Sequence, residues 1–371
     1  MLEIGAYRIA DPDALSTPVM LVFEELVDHN IRTVVELAGG AQNLFAHAKT
    51  HKSEAITRKQ IGAGIDSFKV ATLRELEMVL RAGARRAILA CPVAGPNKVE
   101  MLLDLTEQFP DRWVAAIAGS GTHIELLGSA AGRRDNRLPV MLDLDAGMHR
   151  TGVDIGDAAA DLYRAIHAHP ALEAAGLHCY DGHDTFRDPD QRAAAAERHI
   201  DSLRAFRQAL EAEGMPVPCV VGGGGYSFAY YARTEGMYGS PGSFIYWDES
   251  CNTDIGDMPF RNAALVLAQV VDRHPAQGTI TTDLGSKAIC TDRRLEDRAR
   301  LVGYESAQLV LHNEEYAVFR IEGALPAIGT YLLAIPAHIG PTVVCYPRSH
   351  VIDSTGKVVA RYEHEARDRE Q

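Results

Sequence analysis

From residue 17 to about residue 243 the chain alternates short apolar runs, bounded by turn residues, with longer stretches of helical period. That alternation is the pattern of βα units built around a parallel sheet. Eight runs qualify as strands: 43–49, 67–71, 87–91, 113–118, 138–144, 174–180, 218–222 and 236–239. Between them, segments such as 73–82 (LRELEMVLRA), 97–109 and 190–213 repeat apolar residues at three and four, so each can turn one face to a sheet. Eight units point to a (β/α)8 barrel over residues 15–240. Period does not separate a closed barrel from a doubly wound open sheet, which is the competing architecture. After residue 242 the texture changes to strand-like runs without long helices between them: ALVLAQVVDR, GTITTDLG, AQLVLHN, YAVFRIEG, TYLLAIP and PTVVCYP. These predict a mainly β domain over 241–371. Residues 1–14 join it through the short segment 5–9, and the charged tail 360–371 is expected to fray.

Composition narrows the partners. Fifty acidic against 37 basic residues give a formal net charge of -13, which repels a phosphate backbone. No basic patch offsets it, so nucleic acid is excluded as the expected partner. The first residues carry neither a basic n-region nor an apolar h-region, and no run of about 18 apolar residues occurs anywhere. A cytoplasmic protein is expected. Six cysteines without a CxxC pair fit reduced thiols better than a disulfide framework or a structural zinc site.

Four stretches carry residues suited to chemistry. In LFAHAKTHK, His47, Lys49 and His51 fall at alternate positions, so an extended strand would bring them to one face while Lys52 points elsewhere. At the carboxyl end of a barrel strand that face meets the mouth where barrel enzymes place their chemistry. A lysine desolvated there loses basicity and can form a Schiff base with an aldehyde; a solvated basic loop would look the same in sequence. In VVGGGGYS (220–227) four glycines follow an apolar strand, and backbone N–H groups freed of Cβ atoms can converge on a phosphate. The stretch is neither GxGxxG with its later acidic residue nor GxxxxGK[ST], so no dinucleotide or nucleoside triphosphate is indicated. Ser240-Pro-Gly-Ser243 can add N–H and hydroxyl donors.

In LDLDAGMHRTG (142–152) Arg150 lies in a glycine-bracketed loop, where it can meet a carboxylate, a cofactor oxygen or a structural aspartate. In LHCYDGH (177–183) alternation puts Leu177, Cys179 and Asp181 on one face and His178, Tyr180 and Gly182 on the other. His178 and His183 can each be a site residue or a satisfied core or loop histidine.

HAKTHK, the glycine run after a strand, SPGSF-x-x-WD, DLGSKA and P-x-H-x-x-PTV, in that order over nearly the whole chain, resemble the D-threonine aldolase and D-serine dehydratase-like family. That family stands with alanine racemase among pyridoxal-phosphate enzymes having an N-terminal (β/α)8 barrel and a C-terminal β domain, usually as homodimers. The resemblance implies pyridoxal 5′-phosphate bound covalently by Lys49. It implies phosphate contacts from Gly224, Gly225, Tyr226 and Ser227 and from Gly242 and Ser243, with Arg150 and Tyr180 near the cofactor. It also implies a small amino-acid substrate, while the missing apolar run predicts no membrane partner.

The chain departs from the family pattern at Phe45-Ala46, where relatives have Arg-Pro, and at Gly225-Tyr226, where they have Thr-Gly. A third departure is chemical. Relatives carry His-x-Cys or His-x-Asp, both side chains binding a divalent metal at the substrate's β-hydroxyl, whereas His338 is followed two positions on by Gly340. A lone imidazole is a weak metal site, and on a strand Cys345 would lie roughly 15 Å beyond Gly340. The expected activity is a lyase, aldolase or dehydratase, acting on a β-hydroxy D-amino acid and working without a metal. Lys49 is the base at Cα, and for retro-aldol cleavage His338 or His183 is the base at the β-hydroxyl. An amino-acid racemase or epimerase is the alternative; a non-catalytic pyridoxal-phosphate carrier is disfavoured by the second domain.

Overall fold

The computed structural model describes residues 1–134 and 137–369. Its contacts divide these residues into two compact units, one of residues 1–33, 50–56 and 243–368, the other of residues 34–49, 57–134, 137–242 and 369.

The second unit is the barrel. Its strands are β1 (Ala46–His47), β2 (Ser67–Val70), β3 (Arg86–Leu89), β4 (Trp113–Ala118), β5 (Leu138–Asp145), β6 (Leu172–Tyr180), β7 (Val220–Gly222) and β8 (Met237–Gly239), each parallel to its chain neighbour. The ring is drawn closed where Leu44 bridges Gly239: Phe45 N–H donates to the Gly239 carbonyl (2.9 Å) and His47 N–H to the Pro241 carbonyl (2.8 Å). Eight strands leave an interior just wide enough for side chains, and Phe45, Ile88, Ala115, Ile117, Met141, Ala175, Cys219 and Val221 fill it. β6 and β7 approach closely at Gly176, which has φ +126°; a Cβ there would stand 1.9 Å from the Cys219 carbonyl oxygen.

Local signals place the helices. Leu73–Ala82 begins where Thr72 Oγ1 accepts the Glu75 N–H (3.1 Å) and Glu75 reaches back to the Ala71 N–H (2.6 Å), a capping arrangement written as T-x-x-E. It ends at Gly83 in the left-handed region, as helix C-termini favour. Pro189–Ala212 is capped by Asp188, whose carboxylate accepts the N–H groups of Asp190 and Gln191.

The first unit is mainly β. Its sheet runs Gln308–His312, Ala317–Arg320, Thr279–Thr282, Ala264–His274, Val19–Phe23, Arg348–Ile352 and Val358–Glu363, with Tyr331–Pro336 also paired to Ala264–His274. Val19–Phe23 is buried at every position, antiparallel to Ala264–Leu267 and parallel to His350–Ile352. Residue 15, where the sequence reading starts the barrel, therefore lies on the β side of the division. Segment 5–9 contributes Tyr7–Ile9, which pairs with Leu2–Ile4 and packs Ile9 among Leu265, Leu333 and Ile352.

Two expectations are corrected here. The run PTVVCYP is not a strand: Ile339–Val344 is a short helix. Pro341 sits in its first turn, where its missing N–H costs nothing, and Thr342 Oγ1 donates to the His338 carbonyl (2.9 Å). Nor is the tail loose. Val358–Glu363 is a strand, and His364 is buried against Ser349 Oγ (2.8 Å) and the Tyr346 carbonyl (2.8 Å). Residues 370 and 371 lie outside the described residues.

Candidate functional site

In the barrel unit the candidate residues gather at the carboxyl ends of the strands. β1 is only two residues long, and Lys49 stands in the 3-10 turn Ala48–Thr50 that follows it. Strand alternation therefore does not aim this lysine. A turn anchored by the Lys49 N–H on His47 Nδ1 (3.3 Å) does. The basic stretch is divided between the units. Lys49 belongs to the barrel, while His51 and Lys52 are buried in the β unit, where burial first, then the charges of His364 and Lys52, push the His51 imidazole down to about 3.

β2 places Lys69 beside β1, in register with His47. Lys69 is 2% exposed and its Nζ lies 5.4 Å from the centre of the Tyr180 ring. Burial, then the charge of Lys49, lowers its pKa to about 7. A charged residue inside the apolar strand 67–70 was the sequence signal for this lysine, and the motif reading passed over it.

Tyr180 is the hub of the cluster. The Arg150 guanidinium stands 5.0 Å from its ring centre, a cation–π distance, and burial raises the phenol above its ordinary range. A Cβ on Gly224 would come within 2.8 Å of the same ring, so glycine is what lets the loop pass. Ser227 Oγ accepts the Gly224 N–H (3.2 Å) and donates to buried Asp181 (2.9 Å). Around Gly225 nothing lies within 4 Å of a Cβ position, which leaves open space at the loop. On β5 and β6, Asp143 and His178 face each other in register and share a 2.7 Å hydrogen bond. Burial lowers the His178 pKa, and Asp143 opposes that shift.

Asp143 Oδ2 and His178 Nε2 are buried without a protein partner, and such atoms call for a ligand or water. An amine, a glycine loop open to an anion and unsatisfied buried polar atoms at one end of a barrel fit pyridoxal phosphate, the group the sequence resemblance implies. A cleft of about 980 Å³ opens instead at the amino ends of the strands, lined by Asp66, Arg86, Trp113 and Tyr238. In barrels that face carries stability rather than chemistry.

His183 lies against the loop after β5, its Nε2 3.3 Å from where a Cβ on Gly147 would stand. Its ring packs edge-on to His199, with centres 6.0 Å apart, and its Nε2 is 3.8 Å from Asp184, which accepts a 2.7 Å hydrogen bond from His199.

In the β unit, His338 precedes the helix Ile339–Val344. Its backbone is fixed on both sides: Ala337 N–H donates to Arg298 O (2.9 Å), and Ile339 N–H to the buried Asp248 carboxylate (3.0 Å). Its Nδ1 lies 2.5 Å from Asp292 Oδ2. Partial burial raises the Asp292 pKa, but the His338 hydrogen bond and charge outweigh it and hold the carboxyl below its usual range. Asp292 was not singled out in the sequence, because nothing local links it to a histidine 46 positions away.

Gly340 offers no side chain. A Cβ there would stand 3.9 Å from His338 Nε2 and 4.0 Å from the Cα of Thr50, the residue after Lys49. Because residues 339–344 are helical, the strand spacing assumed for Cys345 does not apply. Its Sγ turns to the Pro341 carbonyl (3.6 Å). Among the described residues, no third His, Cys, Asp or Glu joins His338 and Asp292 in a set of mutually close ligand atoms, so the residues present do not fit a divalent metal at His338.

Comparisons with known proteins agree with this architecture. The family model described as alanine racemase, N-terminal domain, matches residues 24–250, and that of a putative serine dehydratase domain matches residues 263–352. A 3-hydroxy-D-aspartate aldolase of Paracoccus denitrificans is 26% identical over 360 residues, covering 92% of this chain and 89% of that one. A D-threonine aldolase of an Arthrobacter species is 25% identical over 306 residues, 81% and 79% of the two chains. Among solved structures, a D-threonine aldolase from Filomicrobium marinum superposes with a TM-score of 0.87 at 26% identity, covering 99% of this chain and 98% of that one. With its barrel matched across residues 24–250 and its β unit across residues 263–352, the chain belongs to the alanine racemase N-terminal domain family, in the branch that carries a serine dehydratase-like domain.

Proposed function

We propose that this protein is a pyridoxal-phosphate-dependent lyase acting on β-hydroxy D-amino acids. The observation that carries the reading is the position of Lys49, in the turn after the first barrel strand and close enough for its charge to bear on Lys69. The relatives support the lyase half, since proteins named as aldolases match both units of the chain.

Pyridoxal phosphate, when bound, supplies an aldehyde that captures amines and a ring that draws electrons from an adjoining carbon. The chain's own groups supply the rest. Lys49 is the amine that holds the cofactor and the base that carries a proton to or from Cα. The loop Gly224, Gly225, Tyr226 and Ser227, with Gly242 and Ser243, offers N–H and hydroxyl donors to the phosphate. Arg150, set against Tyr180, presents a fixed guanidinium to an anionic oxygen. In aldol cleavage His338 takes the β-hydroxyl proton; His183, beside Asp184 and His199, is the second candidate for that step. The working form is a homodimer.

Incubating the holoenzyme with a panel of β-hydroxy D-amino acids tests the function. Release of an aldehyde or of ammonia is expected. Inversion at Cα as the sole reaction would refute the lyase reading in favour of a racemase.

A further inference from the structure

Aldol cleavage of a β-hydroxy amino acid needs the hydroxyl proton removed, whereas elimination expels that oxygen as the leaving group; for the cleavage, the Gly340 position gives this chain no second ligand for a metal that could acidify the hydroxyl. Asp292 stands on the opposite side of the same imidazole. The contact of 2.5 Å between His338 Nδ1 and Asp292 Oδ2 is a charge-assisted hydrogen bond. Two donors on one zinc-like ion at about 2.0–2.2 Å each stand about 3 Å apart or more in a tetrahedral site. The pair therefore does not hold one ion between its two atoms; a carboxylate on Nδ1 would equally orient a metal-bound imidazole, and what argues for a metal-free ring is that Gly340 supplies no partner ligand beside Nε2. A carboxylate only accepts, so the proton of the neutral ring resides on Nδ1 and the lone pair on Nε2. That nitrogen lies 3.9 Å from where a Cβ at position 340 would stand, and the same position is 4.0 Å from the Cα of Thr50. Glycine keeps the space open. The backbone anchors at Ala337 and Ile339 hold the ring's own residue in place.

From this geometry we infer that Asp292 is a positioning residue that makes His338 a metal-free general base for the substrate's β-hydroxyl. The inference rests on the lyase reading above. In the step, the hydroxyl proton passes to Nε2 and the oxygen's electron pair closes a carbonyl. The Cα–Cβ bond breaks with its pair left on Cα, which is then protonated to give the shortened amino acid. Asp292 stays ionised throughout, fixes the ring's tautomer and compensates the imidazolium, as the carboxylate of a hydrolase triad does, here from a half-exposed position.

The test compares chelated holoenzyme of the parent with Asp292→Asn and Asp292→Glu, using aldehyde release for kcat and KM and proton NMR for the imidazole N–H. Expected are full parent activity after chelation and a downfield Nδ1–H resonance that disappears in Asp292→Asn. In that variant the amide favours the wrong tautomer, so kcat falls about 10²–10⁴-fold with KM little changed, and Asp292→Glu recovers part of the loss. The two side chains of the pair are 40% and 45% exposed, so the variants are expected to fold, and thermal unfolding checks that they do. Parent-like kcat in Asp292→Asn, or absence of the resonance in the parent, would overturn the inference while leaving the lyase reading intact. So would parent activity abolished by chelation and restored by manganese or zinc. A parent that releases ammonia but no aldehyde would overturn the inference, because elimination expels the hydroxyl instead of deprotonating it, and a parent that releases neither removes the lyase reading, and the dyad with it.

Discussion

Lys69 shows how one side chain can be central to a site and nearly silent in sequence. Its ammonium is expelled from charge by burial and by the neighbouring charge of Lys49, so its pKa falls to about 7 from an ordinary 10.5. The sign of the consequence is fixed. Below pH 7 both folded and unfolded chains carry the proton, and the full penalty of a buried charge is present. Between about 7 and 10.5 the unfolded chain binds more protons than the folded one, so this group's contribution to stability rises with pH. Apoprotein carrying Lys69→Met is therefore expected to be more stable than the parent at pH 7. The gap should narrow by about 1.4 kcal/mol per pH unit above that. Chemical denaturation at pH 7, 8 and 9 measures it; a constant gap would mean that Lys69 keeps its proton in the fold. A motif in the sequence names Lys49, whereas the pairs Asp143–His178 and His338–Asp292 join residues 35 and 46 positions apart and leave no local trace.

At the scale of elements, the apolar runs bounded by turns marked all eight barrel strands, because strands buried on both faces are continuous apolar stretches. The first was overextended: it stops at His47 because the chain there turns into a 3-10 helix at Ala48. PTVVCYP failed for a different reason, since a short β-branched run does not by itself distinguish a buried helix from a strand. The glycine loop 222–225 was legible as a loop but not in what each glycine does. Gly224 gives way to Tyr180, whereas Gly225 faces open space. Gly224→Ala should push a methyl group into the Tyr180 ring and weaken cofactor affinity about 10-fold or more, in line with the 1–3 kcal/mol of overpacking. Gly225→Ala should unfold within about 0.5 kcal/mol of the parent. Titrating apoprotein with pyridoxal phosphate, followed by tyrosine and tryptophan fluorescence, gives the affinities. Equal affinity in Gly224→Ala and the parent would show that this loop does not hold the phosphate.

For the whole molecule, the change of texture near residue 242 marked where the βα units end. The β unit's claim on residues 17–23 stayed hidden, because a five-residue apolar strand reads alike in either sheet. The homodimer belongs to this scale. A barrel mouth that must keep water from reacting groups is best closed by a second copy, so light scattering is expected to give twice the 40.4 kDa chain mass. A persistent 40.4 kDa species at working concentration would contradict it. No helix among the described residues is long and apolar enough to cross a membrane. The account as a whole depends on which lysine carries the cofactor, because Lys49, Lys52 and the low-pKa Lys69 are all available by chemistry and only one stands in the turn after β1. Borohydride reduction of the holoenzyme followed by peptide mass mapping decides it. The expected result is a pyridoxyl group on Lys49, lost in Lys49→Ala and kept in Lys52→Ala; a pyridoxyl group on Lys52 or Lys69 would contradict the account.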